Sequence, residues 1–436
     1  MAEAEERPLL GGGIEGGGGA ALLHTAAELL EETGGSLSSK VRLEWLGPKR
    51  GVGIVARGDI AHGETLLSGA ATPASVLSSE LSYPWESQAF ATFCRSIEQE
   101  PGTGASGSAR LALRLALLLV RLRRAAASDE ASAAKNCKEG LSAIELYVAA
   151  LPPAEAAPAY WPQEARKLLL GSTCFQRAEA AAASVQSEAA AICAALPDGT
   201  LPLGGPGPAR PTEEEFQVAY RQASALVATR GFETGCAGLG AVLAPVLDFL
   251  NHASPFDKNA GYNFTDSDFA LQALRDIAAG EEVVVCYDAE ADFLDVWERY
   301  GFFDQTNRIH TAEIHVPPSA VATEPAGGHF WIPESSAPLQ CPLLFSLYRA
   351  ANGSLGAAAA DSEVQRHALA ELAILIRRHL AGYPPAEESD AELGTSAGPI
   401  CRGPHSEAAR RVVRYEQDLL AGTLAKVEAA ATAGSQ

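Results

Sequence analysis

Apolar and polar positions change their spacing three times along the chain. From residue 41 they alternate, Val41, Leu43 and Trp45 against Arg42 and Glu44, and a period of two predicts a half-buried strand. Gly47 and Pro48 break it, an extended segment resumes over 53–56, and another follows over 64–67 after a polar turn at 61–63. Between about 73 and 228 the spacing is helical, with leucines at 111, 113, 115, 117, 118, 119 and 122 and helical stretches at 141–150, 164–170 and 212–228. Pro211 and Thr212 ahead of Glu213, Glu214 and Glu215 mark a helix start, with the acids at the positive end of the dipole. Extended character returns at 241–247, 262–264, 269–274 and 282–287, with a turn at Gly280. A helix over 291–300 ends at Gly301, a last strand covers 311–316, and alanine-rich helices follow at 362–380 and 406–431.

This order predicts an α+β chain: a β core interrupted by a helical insertion and followed by a separate helical domain. The expected boundaries are a glycine-rich, acidic tail over 1–36, in which 20–32 could form a helix, then a core domain over 37–310 with its insertion at about 73–228, and an all-helical domain over 311–436. Flexible linkers are expected at 102–108 and 197–210. Function is expected where the two β halves rejoin.

Charge narrows the partners. Lys plus Arg number 33 against 54 Asp plus Glu, and a net charge of -21 opposes binding to a phosphate backbone, so no nucleic acid is expected. The same field would draw in cationic substrates such as lysine-rich protein tails, although solubility alone also accounts for it. The eight cysteines include no C-x-C or C-x-x-C pair, which points to free thiols and to no metal site. A membrane span needs roughly 20 apolar residues, and the greasiest stretch, 111–122, is interrupted by Arg114 and Arg121, so no membrane is expected either. The acidic start lacks the features of a signal or transit peptide, which favours cytosol or nucleus and leaves a chloroplast location open. A monomer is expected.

Two motifs are decoys. Gly51-Val-Gly-Ile-Val-Ala56 fits a dinucleotide fingerprint, but the residues after it are strand-like and no acid occurs over 65–79. A G-x-S-x-G match at 394–398 lies in a polar loop without the strand and helix of a nucleophile elbow. The informative segment is 245–253, an apolar run ending in Asp248, Asn251 and His252. By itself an Asn-His pair at a strand end also reads as a turn that satisfies its own backbone. Its neighbours change the picture: a Gly-x-Gly turn upstream, Tyr262, and an apolar strand ending in Tyr287 ahead of a helix that closes on Tyr300.

Taken in order, Arg50-Gly51-Val52-Gly53, the Asp248 to His252 segment and the strand from Gly280 to Tyr287 resemble the SET-domain methyltransferases. Glu145-Leu-Tyr-Val-Ala-Ala-Leu-Pro-Pro153, Tyr160-Trp161-Pro162 and Gly382-Tyr-Pro-Pro385 are similar to the branch containing the Rubisco large-subunit lysine methyltransferase and the actin-histidine methyltransferase. That resemblance covers roughly residues 40 to 435 and implies a SET β core with a pseudoknot, a helical insertion and a C-terminal helical substrate-binding domain. The chain departs from the family pattern in lacking an asparagine over 290–295 and a proline over 66–71.

The resemblance implies S-adenosyl-L-methionine as cofactor and a protein substrate presenting a lysine. Arg50, Gly51, Val52 and Gly53 would lie against the cofactor, Asn251 would bond its amino-acid end, His252 its adenine, and Arg230 its carboxylate. Arg230 also reads as a solvated helix-end arginine. Tyr287 is the implied catalytic residue, its alternative being a strand-end tyrosine with a buried ring and a wet tip. Phe232, Tyr262 and Tyr300 would wall a substrate channel, with Asp248 either a further pocket residue or a structural one. The second residue after the matched arginine is asparagine in the histidine-methylating member and phenylalanine in the lysine-methylating one. Here it is Phe232, so lysine is expected, with histidine as the alternative target and a noncatalytic SET-derived binding module as the alternative class.

Overall fold

The computed structural model describes residues 30, 32, 35–47, 50–97, 107–128, 142–151, 157–201, 210–316, 328–333, 343–344, 346–349, 361–383 and 404–433. Most of the expected tail, its 20–32 helix, the 102–106 and 202–209 parts of the linkers and the 394–398 motif lie outside the described residues. The chain divides into two compact units, residues 1–155 with 183–289 and residues 156–182 with 290–436. The second unit thus begins at 290 and also takes up 156–182 from the insertion.

The first unit holds three small sheets. Strands β1 (Ser36–Leu37), β2 (Val41–Trp45), β3 (Val52–Ala56), β4 (Thr65–Ala70) and β5 (Leu77–Ser78) precede the helical region. Strands β6 (Phe232–Glu233), β7 (Ala241–Leu243), β8 (Asn251–His252), β9 (Ala260–Phe264), β10 (Asp268–Ala273) and β11 (Glu282–Val285) follow it. The sheet orders are β1-β4-β10-β9, β2-β3-β11-β8 and β5-β7-β6, so every sheet combines strands from before and after the insertion. The turn between β2 and β3 needs glycine at Gly47 and Gly51, whose φ values are 97° and 65°. The apolar stretch 241–247 pairs only over β7, which ends at Leu243, and the chain then turns through Val246, which has a φ of 72°. A β-branched residue there is strained and persists only because its surroundings hold it.

Four longer helices belong to this unit in whole or in part: α1 (Gln88–Ile97), α2 (Gly107–Ser128), α3 (Ala143–Ala150) and α5 (Glu213–Arg230). The helix between the last two, α4 (Thr173–Ala195), runs across the division between the units. The predicted start of α5 is a capping box, in which the Thr212 hydroxyl accepts from the Glu215 N–H at 3.2 Å and the Glu215 carboxylate from the Thr212 N–H at 2.8 Å. Its buried side, Phe216, Ala219, Tyr220, Ala223, Leu226 and Val227, repeats at helical spacing and joins the buried α2 leucines in one core. The last residue of α5 is Arg230, which the helix delivers to the end of that core.

The second unit contains α6 (Phe293–Tyr300), capped at Gly301 in a left-handed conformation with φ of 79°, then α7 (Asp361–Leu380) and α8 (Pro404–Ala433). It also carries a hairpin of β12 (Thr311–Val316), the expected last strand, and β13 (Gly328–Pro333), which was not expected, so the segment is not all helical. Glu416 is buried there and accepts from Thr173 at 2.9 Å and from Tyr383 at 3.1 Å.

One residue joins the ends of three strands in the first unit. Asn259, fully buried, accepts from the Val284 N–H at 2.8 Å and donates to the Glu282 carbonyl at 2.7 Å, while its own backbone bonds Val284 and Leu274. We predict that Asn259→Ala lowers unfolding stability by about 1–3 kcal/mol in urea titration, since it strands a half-buried N–H and a half-buried carbonyl. A second expectation concerns pH. The hydrogen bond from Arg124, with that from Thr212, holds the Glu215 carboxyl down at about 2, below its ordinary 4.5. A lowered folded value contributes stability that is present above 4.5 and lost as pH falls toward 2. Because Glu215 is partly exposed, the contribution is about 1 kcal/mol or less, and Glu215→Gln should flatten the acid limb of the stability curve by that amount.

Candidate active site

The site is built on the β2-β3-β11-β8 sheet. The pairing of β8 with β11 is parallel, with Asn251 opposite Val284 and His252 opposite Val285. This register puts the ends of two distant segments side by side, and side chains tie them. The Asn251 Nδ2 donates to Glu282 at 2.8 Å and reaches the Val52 carbonyl at 3.5 Å. The other oxygen of Glu282 takes Arg50 at 2.5 Å. Burial pushes the Glu282 carboxyl above its ordinary value, with Asn251 and Arg50 pulling it back. A Cβ on Gly53 would stand 3.0 Å from that Glu282 oxygen and 3.1 Å from the Asn251 Nδ2, and would collide with the Leu46 side chain. The two glycines of the turn therefore serve differently: Gly51 for its φ, with open space around it, and Gly53 for the closeness of Asn251 and Glu282.

On the far side of β8, the Tyr287 N–H donates to the His252 Nδ1 at 3.1 Å, so a neutral ring carries its proton on Nε2. The Tyr287 hydroxyl donates to the Leu250 carbonyl at 2.6 Å, and the two rings meet edge to face with centroids 5.1 Å apart. The tyrosine is held from both ends by backbone and side chain of one short strand.

Arg230 and Asp248 form a pair at 2.9 Å through Nη1, which also reaches the Asp248 carbonyl at 3.3 Å. The Asp248 side chain is fully buried, whereas a quarter of the Arg230 side chain is exposed. Burial drives the Asp248 carboxyl up and Arg230 draws it back. Asp248, expected to face a substrate pocket, has its carboxylate turned instead to Arg230 and to the Tyr147 hydroxyl at 2.5 Å. Arg230, expected to meet a cofactor carboxylate, thus also has a protein carboxylate as partner.

Phe232 packs edge to face on Tyr262 with centroids 4.9 Å apart, and Phe264 completes an aromatic cluster at 5.7 Å from Phe232. Tyr300 lies in the second unit, where Arg299 stacks 5.3 Å above its ring. Hence the first unit brings Arg50, Gly51, Val52 and Gly53 together with Asn251, joins His252 to Tyr287, and joins Phe232 to Tyr262.

Three residues that tie the site together had no expected role: Glu282, Tyr147 and Asn259. The first two stand inside motifs quoted above, but nothing in their spacing showed their partners, which lie 31 and 101 residues away in the chain. Asn259 carried no signal.

A model of the SET domain family matches residues 51–288, more than half of the chain. Among solved structures the chain is similar to the SET domain of LSMT bound to lysine and AdoHcy, at 18% identity and a TM-score of 0.62, over 94% of this chain and 91% of that one. It is also similar to Rubisco LSMT bound to AdoMet, at 17% identity and a TM-score of 0.61, over 95% and 93%. These likenesses establish the fold. A search of curated proteins finds no match.

The glycine argument is testable by denaturation. Gly51→Ala should cost about 1 kcal/mol, the price of its backbone conformation, whereas Gly53→Ala should cost about 1–3 kcal/mol through overpacking. Adding Asn251→Ala should recover part of the second loss and none of the first.

Proposed function

Because the chain belongs to the SET-domain family, we propose that it is an S-adenosylmethionine-dependent methyltransferase acting on a lysine side-chain amine of a protein. The observation that carries this reading is the fixed Tyr287 hydroxyl, whose proton is committed to the Leu250 carbonyl beside the strand of Asn251 and His252.

The residues fit the cofactor. Among the described residues Arg230 bonds through Nη1 alone, so its Nε and Nη2 are left to donate to a carboxylate, for which a guanidinium fork is well shaped. Asn251 commits its Nδ2 to Glu282, so its Oδ1 is left to accept from an ammonium. Gly51 has no atom within 4 Å of where a Cβ would stand, so the turn is open to close approach at that residue. His252 is assigned to the adenine. When bound, S-adenosylmethionine supplies an electrophilic methyl group on a sulfonium.

The chain's own residues prepare the nucleophile. A lysine ammonium, with a pKa of about 10.4, must first lose a proton to water. Apolar rings such as Phe232 and Tyr262 disfavour its charged form by excluding water, while their faces attract the incoming cation. With its own proton engaged, the Tyr287 oxygen accepts an N–H from the neutral amine and so orients the nitrogen lone pair. Phe232 supports lysine over histidine, because its ring offers no hydrogen bond to an imidazole. The charge of -21 favours a lysine-rich, cationic protein as substrate.

The test is mass spectrometry of a proteome incubated with the protein and labelled donor, where methyl-lysine is expected. Methyl-histidine alone would overturn the lysine assignment, and no labelled product together with no binding of the donor would overturn the enzyme. Tyr287→Phe should lower kcat by about 10²-fold or more and change donor affinity by less than about 3-fold.

A further inference from the structure

Tyr147 is the point at which the helical insertion enters the site. It lies in α3, is fully buried, and donates to the same Asp248 oxygen that receives Arg230. Burial first, and then the charge of Asp248, keep the phenol well above its ordinary pKa, so it remains a donor throughout the working range. The Asp248 oxygen therefore divides its negative charge between a guanidinium and a hydroxyl. Among the described residues the other two guanidinium nitrogens have no hydrogen-bond partner, and a quarter of the Arg230 side chain is exposed.

We infer that Tyr147 is a positioning residue for cofactor binding: by taking part of the charge of Asp248, it keeps Arg230 aligned by Asp248 yet cationic toward a ligand carboxylate. The inference rests on the proposed use of S-adenosylmethionine. Without the phenol, the full carboxylate charge would face Arg230 in a buried setting, where such pairs are strong, and the guanidinium would be largely neutralised before a ligand arrives. A hydrogen bond to a charged group is strong enough for an effect of about tenfold on affinity.

Two ligands separate this role from a structural one. S-adenosylhomocysteine carries the amino-acid carboxylate, and 5′-methylthioadenosine lacks it. By calorimetry on the full chain, Tyr147→Phe should weaken S-adenosylhomocysteine about 5- to 20-fold and leave 5′-methylthioadenosine within about 2-fold. Asp248→Asn, which keeps an oxygen for both donors but removes the competing charge, should bind S-adenosylhomocysteine as well as or better than the wild type. Equal weakening of both ligands by Tyr147→Phe, no weakening of either, or loss of S-adenosylhomocysteine binding in Asp248→Asn overturns the inference. The Asn variant decides the matter if the Phe variant does not fold. A wild-type chain that binds neither ligand overturns the proposed cofactor, and this inference with it. A wild type that binds S-adenosylhomocysteine while the variants behave otherwise overturns this inference alone.

Discussion

The site depends on a parallel pairing only two residues long, Asn251 and His252 of β8 against Val284 and Val285 of β11. So short a ladder supplies few backbone bonds, and a net hydrogen bond contributes only about 1 kcal/mol. Its geometry is held from the flanks instead. Asn259 bonds the backbone of β11 on both sides of Val283, Asn251 bonds Glu282, and His252 takes the N–H of Tyr287. Polar side chains thus complete a sheet edge that backbone pairing alone leaves loose. That explains why so many asparagines and carboxylates cluster where the sheet is shortest.

The same region carries two charged pairs of different character. Arg50 and Glu282 meet near the surface, with more than half of the arginine side chain exposed, so solvent screens the pair and its role is to align Glu282 for Asn251. Arg230 and Asp248 meet with the carboxylate fully buried. A buried pair stabilises little on balance, because desolvation offsets attraction. Its value is geometric, since a guanidinium committed at one nitrogen presents the others in a fixed direction. The strained Val246, two residues before Asp248, belongs to the same arrangement: the chain must leave β7 abruptly to place the carboxylate under Arg230.

The insertion is joined to this core by more than apolar packing. Its α2 donates from Arg114 to the Ser78 carbonyl at the end of β5 at 3.0 Å, and α3 sends Tyr147 to Asp248. Each contact satisfies a buried polar group with a partner from a different part of the chain. Losing either partner would leave the other stranded, which costs more than the bond itself contributes. These two helices of the insertion and the β core therefore depend on one another for buried polar partners.

The sequence by itself determined the alternation of extended and helical regions, the start of α5 at its capping box, the end of α6 at Gly301, and the residues of the Gly-x-Gly, Asn-His and Tyr287 segments, because period, caps and turn residues act over a few positions of chain. The resemblance to a family rested on those same local signals. Only the tertiary structure decided that Gly53 is required by Asn251 and Glu282, that Asp248 turns inward to Arg230, and that Tyr147 completes the pair. It also decided that 156–182 packs with the C-terminal unit and that this unit contains a hairpin. Partners separated by tens or hundreds of residues leave no periodic trace: a buried hydroxyl and a buried carboxylate are matched by three-dimensional proximity, and desolvation makes that match matter only once the chain has closed around them.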